Sequence, residues 1–205
     1  YDDHDRGLAD VYLPKRPLPG RPICVFLYGG SWDSGDRTFY RFVGATFASA
    51  GIATVIPDYS VHPAGAWPDF LHDNAAAVRW ARDNAEAWGA DPGRLFLIGQ
   101  SAGAYNGAML CLDPRFLGAV NLEPVRDIAG MVGLAGPYDF LPLQSDKLKA
   151  VFGEEGQKPE HQPINLARAD APPMLLMVGG EDRVIRPGNT RRLAQKIAAS
   201  GGRAE

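Results

Sequence analysis

RLFLIGQSAGAYNGAMLCL, residues 94–112, decides how the rest of the chain is read. Leu95 to Ile98 is a short apolar run that fits a buried strand, and the small and apolar residues beyond Ser101 fit a helix to about Leu112. Between them, Gly99, Gln100, Ser101, Ala102 and Gly103 form a Gly-x-Ser-x-Gly pattern. A strand that bends sharply into a helix lifts the middle hydroxyl clear of the sheet. Glycines two places to either side keep side chains from colliding with the adjoining backbone. A serine cap on a glycine-rich turn is the plainer reading. A phosphate cradle fits poorly, because no Gly-x-Gly-x-x-Gly follows the first strand and no Gly-Lys-Ser or Gly-Lys-Thr occurs.

Working outward, residues 22–28 and 52–57 are apolar runs that read as strands. The segment from Phe39 to Ala50 places Phe42, Val43, Thr46, Phe47 and Ala50 on one helical face before Gly51. Leu71, Ala75, Val78, Ala81, Ala85 and Trp88 mark a longer helix entered through Pro68, and Asp91-Pro92-Gly93 reads as the turn into the strand at 95–98. Ile128 to Leu134 and Met174 to Val178 are further strands, and Pro187 opens a helix with Leu193, Ala194, Ile197 and Ala198 inward. Strands alternating with helices of this length require crossover connections. The expected architecture is therefore α/β, a mostly parallel sheet with helices on both faces and ligands beyond the carboxyl ends of the strands.

The 205 residues make one domain at the usual ~100–200 residues per domain. Residues 138–168, punctuated by Pro142, Pro159 and Pro163, break the alternation and read either as a small cap-like excursion over that edge or as a surface loop. Hydrophobic residues at 45% and charged residues at 22% exclude a disordered tail, a fibre or a coiled coil. A net charge of -3 without a basic stripe argues against nucleic acid. No apolar run spans a bilayer and the polar opening is unlike a signal peptide, so a cytoplasmic location is expected. The oligomeric state is not legible. Cys24 and Cys111 lie in apolar runs and read as buried thiols. Nothing spaced like a metal site appears, and no cofactor is expected.

Two further segments carry chemistry. Tyr28-Gly29-Gly30-Ser31-Trp32 ends the first of these strands, where paired glycines let the backbone turn its amides toward one point; with the amide of Ala102 they suit a developing oxyanion. Gly179-Gly180-Glu181-Asp182 follows the last strand and offers a carboxylate, Asp182 or its neighbour Glu181, to orient a histidine that takes the serine's proton. Trp32 and Gln100 are candidate pocket walls, with Phe140, Leu141 and Trp67 as further possibilities.

Together with DVYLP at 10–14, PDY at 57–59, AVRWARDNA at 77–85, GPYDF at 136–140 and PPMLLMVGGEDRV at 172–184, these motifs make nearly the whole chain resemble the esterase and lipase branch of the α/β-hydrolase fold with an HGG-type loop, including small carboxylesterases and arylformamidase-like enzymes. The resemblance implies Ser101 as nucleophile, Asp182 as triad acid, and Gly30, Ser31 and Ala102 as oxyanion donors. Tyr28 stands where that family usually has a histidine, which puts the loop's geometry in question. The triad histidine, expected some tens of residues past the acid, is missing: His4, His62, His72 and His161 all precede Asp182. The expectation is a chain trimmed at both ends, lacking a last strand and helix, from a serine hydrolase that cleaves a small carboxylic ester. An arylformamidase-like amidase and a non-catalytic ligand-binding protein of the same fold are the alternatives.

Overall fold

A computed structural model describes residues 1–16 and 20–205. Six strands form one sheet: β1 (Ala9–Tyr12), β2 (Arg21–Leu27), β3 (Ala53–Pro57), β4 (Ala90–Gln100), β5 (Gly130–Leu134) and β6 (Met174–Met177), in the order β1-β3-β2-β4-β5-β6. β1 runs antiparallel to β3 and every other pairing is parallel. Ile23 to Leu27 are buried, as a strand covered on both sides must be. Successive residues there face opposite ways: the Phe26 ring meets Tyr40 at 5.3 Å, while Leu27 lies against Gly107 on the other side. Helices accordingly cover both faces. β1 has no counterpart in the sequence reading, because four half-buried residues carry too little hydrophobic contrast to stand out.

Among the described residues, seven α-helices connect and cover the strands: α1 (Arg41–Ser49), α2 (Asp69–Asn84), α3 (Ala102–Leu112), α4 (Pro114–Gly118), α5 (Pro124–Asp127), α6 (Asp146–Phe152) and α7 (Gly188–Ala199). The expected face of α2 is the observed one, with Leu71, Ala75, Val78 and Ala81 all buried. α1 differs. A 3₁₀ turn at Arg37–Tyr40 precedes it, and Phe42 stands 67% exposed. The helix is rotated so that Gly44 meets Tyr12 of β1; a Cβ there would lie 2.2 Å from the ring, so only a hydrogen fits. The expected turn at Asp91–Gly93 lies inside β4, where the pairing with β2 shifts register between Arg21 and Ile23.

Residues 138–168 are folded against the domain. α6 and three 3₁₀ turns bury Val151, Phe152, His161, Gln162 and Ile164. The Trp67 amide donates to the Val151 carbonyl at 2.8 Å, and the Tyr105 hydroxyl donates to the His161 carbonyl at 2.9 Å. Beyond α7, Gly202 closes the helix and the following residues run along β6 in parallel, with Met174 N–H donating to Arg203 O at 3.0 Å and Leu176 N–H to Glu205 O at 2.7 Å. No helix among the described residues is long and apolar enough to cross a membrane.

Candidate active site

Ser101 lies between the last residue of β4 and the first of α3, with φ 53° and ψ -119°. A non-glycine residue in the left-handed half of the map is strained, and its neighbours hold it there. Its amide donates to Leu134 of β5 at 2.8 Å, and its carbonyl accepts from Ala104 at 2.9 Å and Tyr105 at 3.2 Å. Both flanking glycines are sterically required: a Cβ on Gly99 would lie 2.3 Å from the Gly103 carbonyl oxygen, and one on Gly103 would lie 2.0 Å from that of Leu27. The turn thus presses α3 against β4 and β2.

The double glycine passes directly over this turn. A Cβ on Gly29 would stand 2.9 Å from Cβ of Ser101 and 2.4 Å from Oε1 of Gln100. Gly30, Ser31 and Trp32 then take φ values of 144°, 51° and 59°, curling the chain so that the Gly30 carbonyl accepts from the amides of Asp33 and Ser34, each at 3.1 Å. Among the described residues the amides of Gly30, Ser31 and Ala102 donate to no protein acceptor. Three backbone donors near one serine, one of them at a helix N-terminus, are what an anionic oxygen requires.

Asp182 sits in the turn after β6, its Oδ1 accepting from the amides of Val184 and Ile185, both at 2.9 Å. That fixes the carboxylate, whereas Glu181 is exposed and makes no such bond. None of the four histidines bonds to Ser101 or Asp182. The Nε2 of His4 lies 3.4 Å from Asp73, the amide of His62 donates to the Trp32 carbonyl at 2.8 Å, the ring of His72 meets Phe116 at 5.4 Å, and His161 is buried beneath Trp67 at 4.2 Å. Asp2, His4 and Asp73 bring three ligand-type atoms within 4.8 Å of one another. His4 Nδ1, however, accepts from the Arg6 amide at 3.2 Å, so only Nε2 faces Asp73. Nε2 and Asp73 stand 3.4 Å apart without a hydrogen bond between them. Burial pushes the Cys111 thiol up to about 12 and raises Cys24 as well, so neither thiol offers a nucleophile.

Of the pocket candidates, Gln100 lies against Gly29. Trp32 is 3% exposed, stacked on Phe140 and edge-on to Tyr105 and Phe152, with its Nε1 donating to Asn106 at 2.8 Å. It anchors the loop from within. Residues that the sequence reading passed over do most to hold this region. Asp58, Arg6 and Arg37 gather behind Tyr28, and Asn189 accepts from the amides of Tyr138 at 3.0 Å and Asp139 at 2.9 Å. PDY at 57–59 and GPYDF at 136–140 carried a local signal for Asp58, Tyr138 and Asp139; Arg6, Arg37 and Asn189 reach these partners across tens of residues.

The BD-FAE family profile matches residues 9–197. The chain belongs to the BD-FAE family. Over all of its length it is 28% identical to the isoprenylcysteine alpha-carbonyl methylesterase ICME of Arabidopsis thaliana, and over 97% of it, again at 28%, to Esterase LipC of Mycobacterium tuberculosis. It covers 53% and 54% of those proteins, so the chain spans about half the length of these curated relatives. The apo form of Thermogutta terrifontis esterase 2 superimposes with a TM-score of 0.80 at 25% identity, over 96% of this chain and 75% of that one. A truncated carbohydrate esterase from gut microbiota gives 0.85 at 21%, over 99% and 82%. The fold is the α/β-hydrolase fold of these esterases, as the motifs implied.

Proposed function

We propose that this chain carries the nucleophile, the triad acid and the oxyanion donors of a serine hydrolase that cleaves a small carboxylic ester. The observation that carries this is the strained Ser101 at the β4–α3 turn, overlaid by Gly29 and accompanied by three backbone amides without protein acceptors. In this reading Ser101 Oγ attacks the acyl carbonyl. The amides of Gly30, Ser31 and Ala102 hold the tetrahedral oxyanion, the leaving alcohol takes a proton from a histidine, and water then releases the acyl group from Ser101. Asp182 orients that histidine, which none of the four in this chain supplies. The 138–168 segment serves as a small cap over the glycine loop, a role supported by the ion pair between Lys147 and Asp33. The esterase and methylesterase names of the relatives support the substrate class.

The test uses the full-length protein with p-nitrophenyl acetate and a fluorophosphonate probe. Ester hydrolysis and covalent labelling are expected, and Ser101→Ala loses both, with turnover falling roughly 10⁴- to 10⁶-fold. A folded protein that neither labels nor hydrolyses would be a binding module. Faster turnover of an N-formyl aryl amide than of any ester would make it an amidase.

A further inference from the structure

Tyr28 is the last residue before the double glycine, and its side chain is wholly buried. The ring lies between Tyr59, with centroids 4.7 Å apart, and Tyr40, at 5.5 Å and 9° between planes. Its hydroxyl donates to Oδ1 of Asp58 at 2.7 Å and accepts from Nη2 of Arg6 at 2.7 Å. The same Arg6 nitrogen donates to the Gly35 carbonyl at 2.9 Å, and Arg6 Nε donates to the Tyr59 carbonyl at 2.6 Å. On the far side the amide of Arg37 donates to Oδ1 of Asp58 at 2.9 Å, while its guanidinium pairs with Oδ2 of Asp58 and with Asp10. Asp58 is 4% exposed, and a buried carboxylate persists only where cations and donors surround it. Turn 29–35 is therefore tied at its entry by Tyr28, which bonds to both Asp58 and Arg6, and at its exit by Gly35, held by Arg6, and by Arg37, held by Asp58. Gly35 also folds onto the Tyr28 ring, where a Cβ would lie 2.7 Å from Cε2.

We propose that the Tyr28 hydroxyl is a positioning group for the oxyanion loop, acting through Asp58, Arg6 and Arg37 to hold the amides of Gly30 and Ser31 at the working distance from Ser101. This rests on the hydrolase reading above. Tyr28 touches no reacting atom; it sets where the donors stand, and misplacing such donors by about 1 Å costs up to about 100-fold in turnover. A phenol in this position also brings no ionisation to the loop between about pH 5 and 8, where an imidazole would change charge. Burial, reinforced by the bond to Asp58, raises the Tyr28 phenol well above its usual range.

The experiment measures kcat, KM and melting temperature of the full-length protein on p-nitrophenyl acetate, with fluorophosphonate labelling in parallel. A wild-type protein that is folded yet neither labels nor hydrolyses overturns the hydrolase reading, whatever Tyr28 does. In an active protein, Tyr28→Phe is expected to lower kcat about 10- to 100-fold and leave KM within about twofold, with labelling slowed in proportion. Tyr28→His is expected to recover part of kcat and to add a second ionisation between about pH 5 and 8, beside that of the triad histidine. If Tyr28→Phe does not fold, Arg6→Gln decides the matter: its partly exposed side chain can be changed without opening the core, and kcat is expected to fall about 3- to 10-fold. A folded Tyr28→Phe, or Arg6→Gln in its place, with wild-type kcat overturns the proposal, as does a Tyr28→His pH profile superimposable on the wild type's.

Discussion

A Cβ on Gly103 would lie 2.0 Å from the Leu27 carbonyl oxygen and 2.5 Å from that of Tyr28, both backbone atoms of the strand end that α3 leans on. Neither can yield without moving the strand that leads into the glycine loop. Gly118, exposed at the end of α4, has nothing within 4 Å of the same position. Gly103→Ala is therefore expected to destabilise the protein by about 2–4 kcal/mol and to impair phosphonate labelling of Ser101. Gly118→Ala should be neutral or stabilising by up to ~1 kcal/mol. Urea melts of the two variants compare them directly, and equal midpoints would contradict the steric account. The need for glycine at 99 and 103 was legible in the chain, since the Gly-x-Ser-x-Gly pattern names both positions. The need at Gly44 and Gly133 was not, because the atoms they make room for, the Tyr12 ring and the Tyr138 hydroxyl at 2.1 Å, come from other elements.

Between elements, Asn189 near the start of α7 accepts from the amides of Tyr138 and Asp139, and so joins the acid side of the site to the segment carrying Phe140, which stacks on Trp32 at 6.1 Å. Arg192 of the same helix adds an ion pair to Asp139 at 2.7 Å. Asn189→Ala strips the acceptor from two amides and is expected to cost about 1–3 kcal/mol. Asn189→Asp keeps an acceptor oxygen and should restore most of it. Hydrogen exchange at Tyr138 and Asp139 reads the effect locally: faster exchange in the alanine variant alone is the expected pattern, and unchanged exchange in both would mean the amides are held by something else. The apolar runs announced β2 to β6 and the helices α1, α2, α3 and α7, but not the short α4 and α5. They did not announce α6 or the 3₁₀ turns of 155–166, whose apolar residues follow no period and are buried only because they lie under Trp67 and beside Phe70 and Trp32.

For the molecule as a whole, four phenols, those of Tyr28, Tyr59, Tyr105 and Tyr138, are completely buried, and burial raises each above the ordinary tyrosine range. A group whose pKa is higher folded than unfolded contributes stability that is present in full below the unfolded value, about 10, and is lost as pH rises toward the folded one. The urea midpoint is expected to hold level through neutral pH and to fall steeply above about pH 10. Phenolate absorbance should then appear together with unfolding. Four tyrosines titrating near pH 10 in a protein that stays folded would refute this. The sequence by itself determined the parallel α/β layout and the strand-to-helix turn at Ser101. Both follow from the spacing of apolar residues and glycines along the chain, which is local information. Only the tertiary structure decided that Tyr28 bonds to Asp58, that Arg6 and Arg37 close around that carboxylate, and that Gly29 lies over Ser101. Those contacts join residues with no fixed separation, and burying a charge is tolerable only when distant partners arrive together.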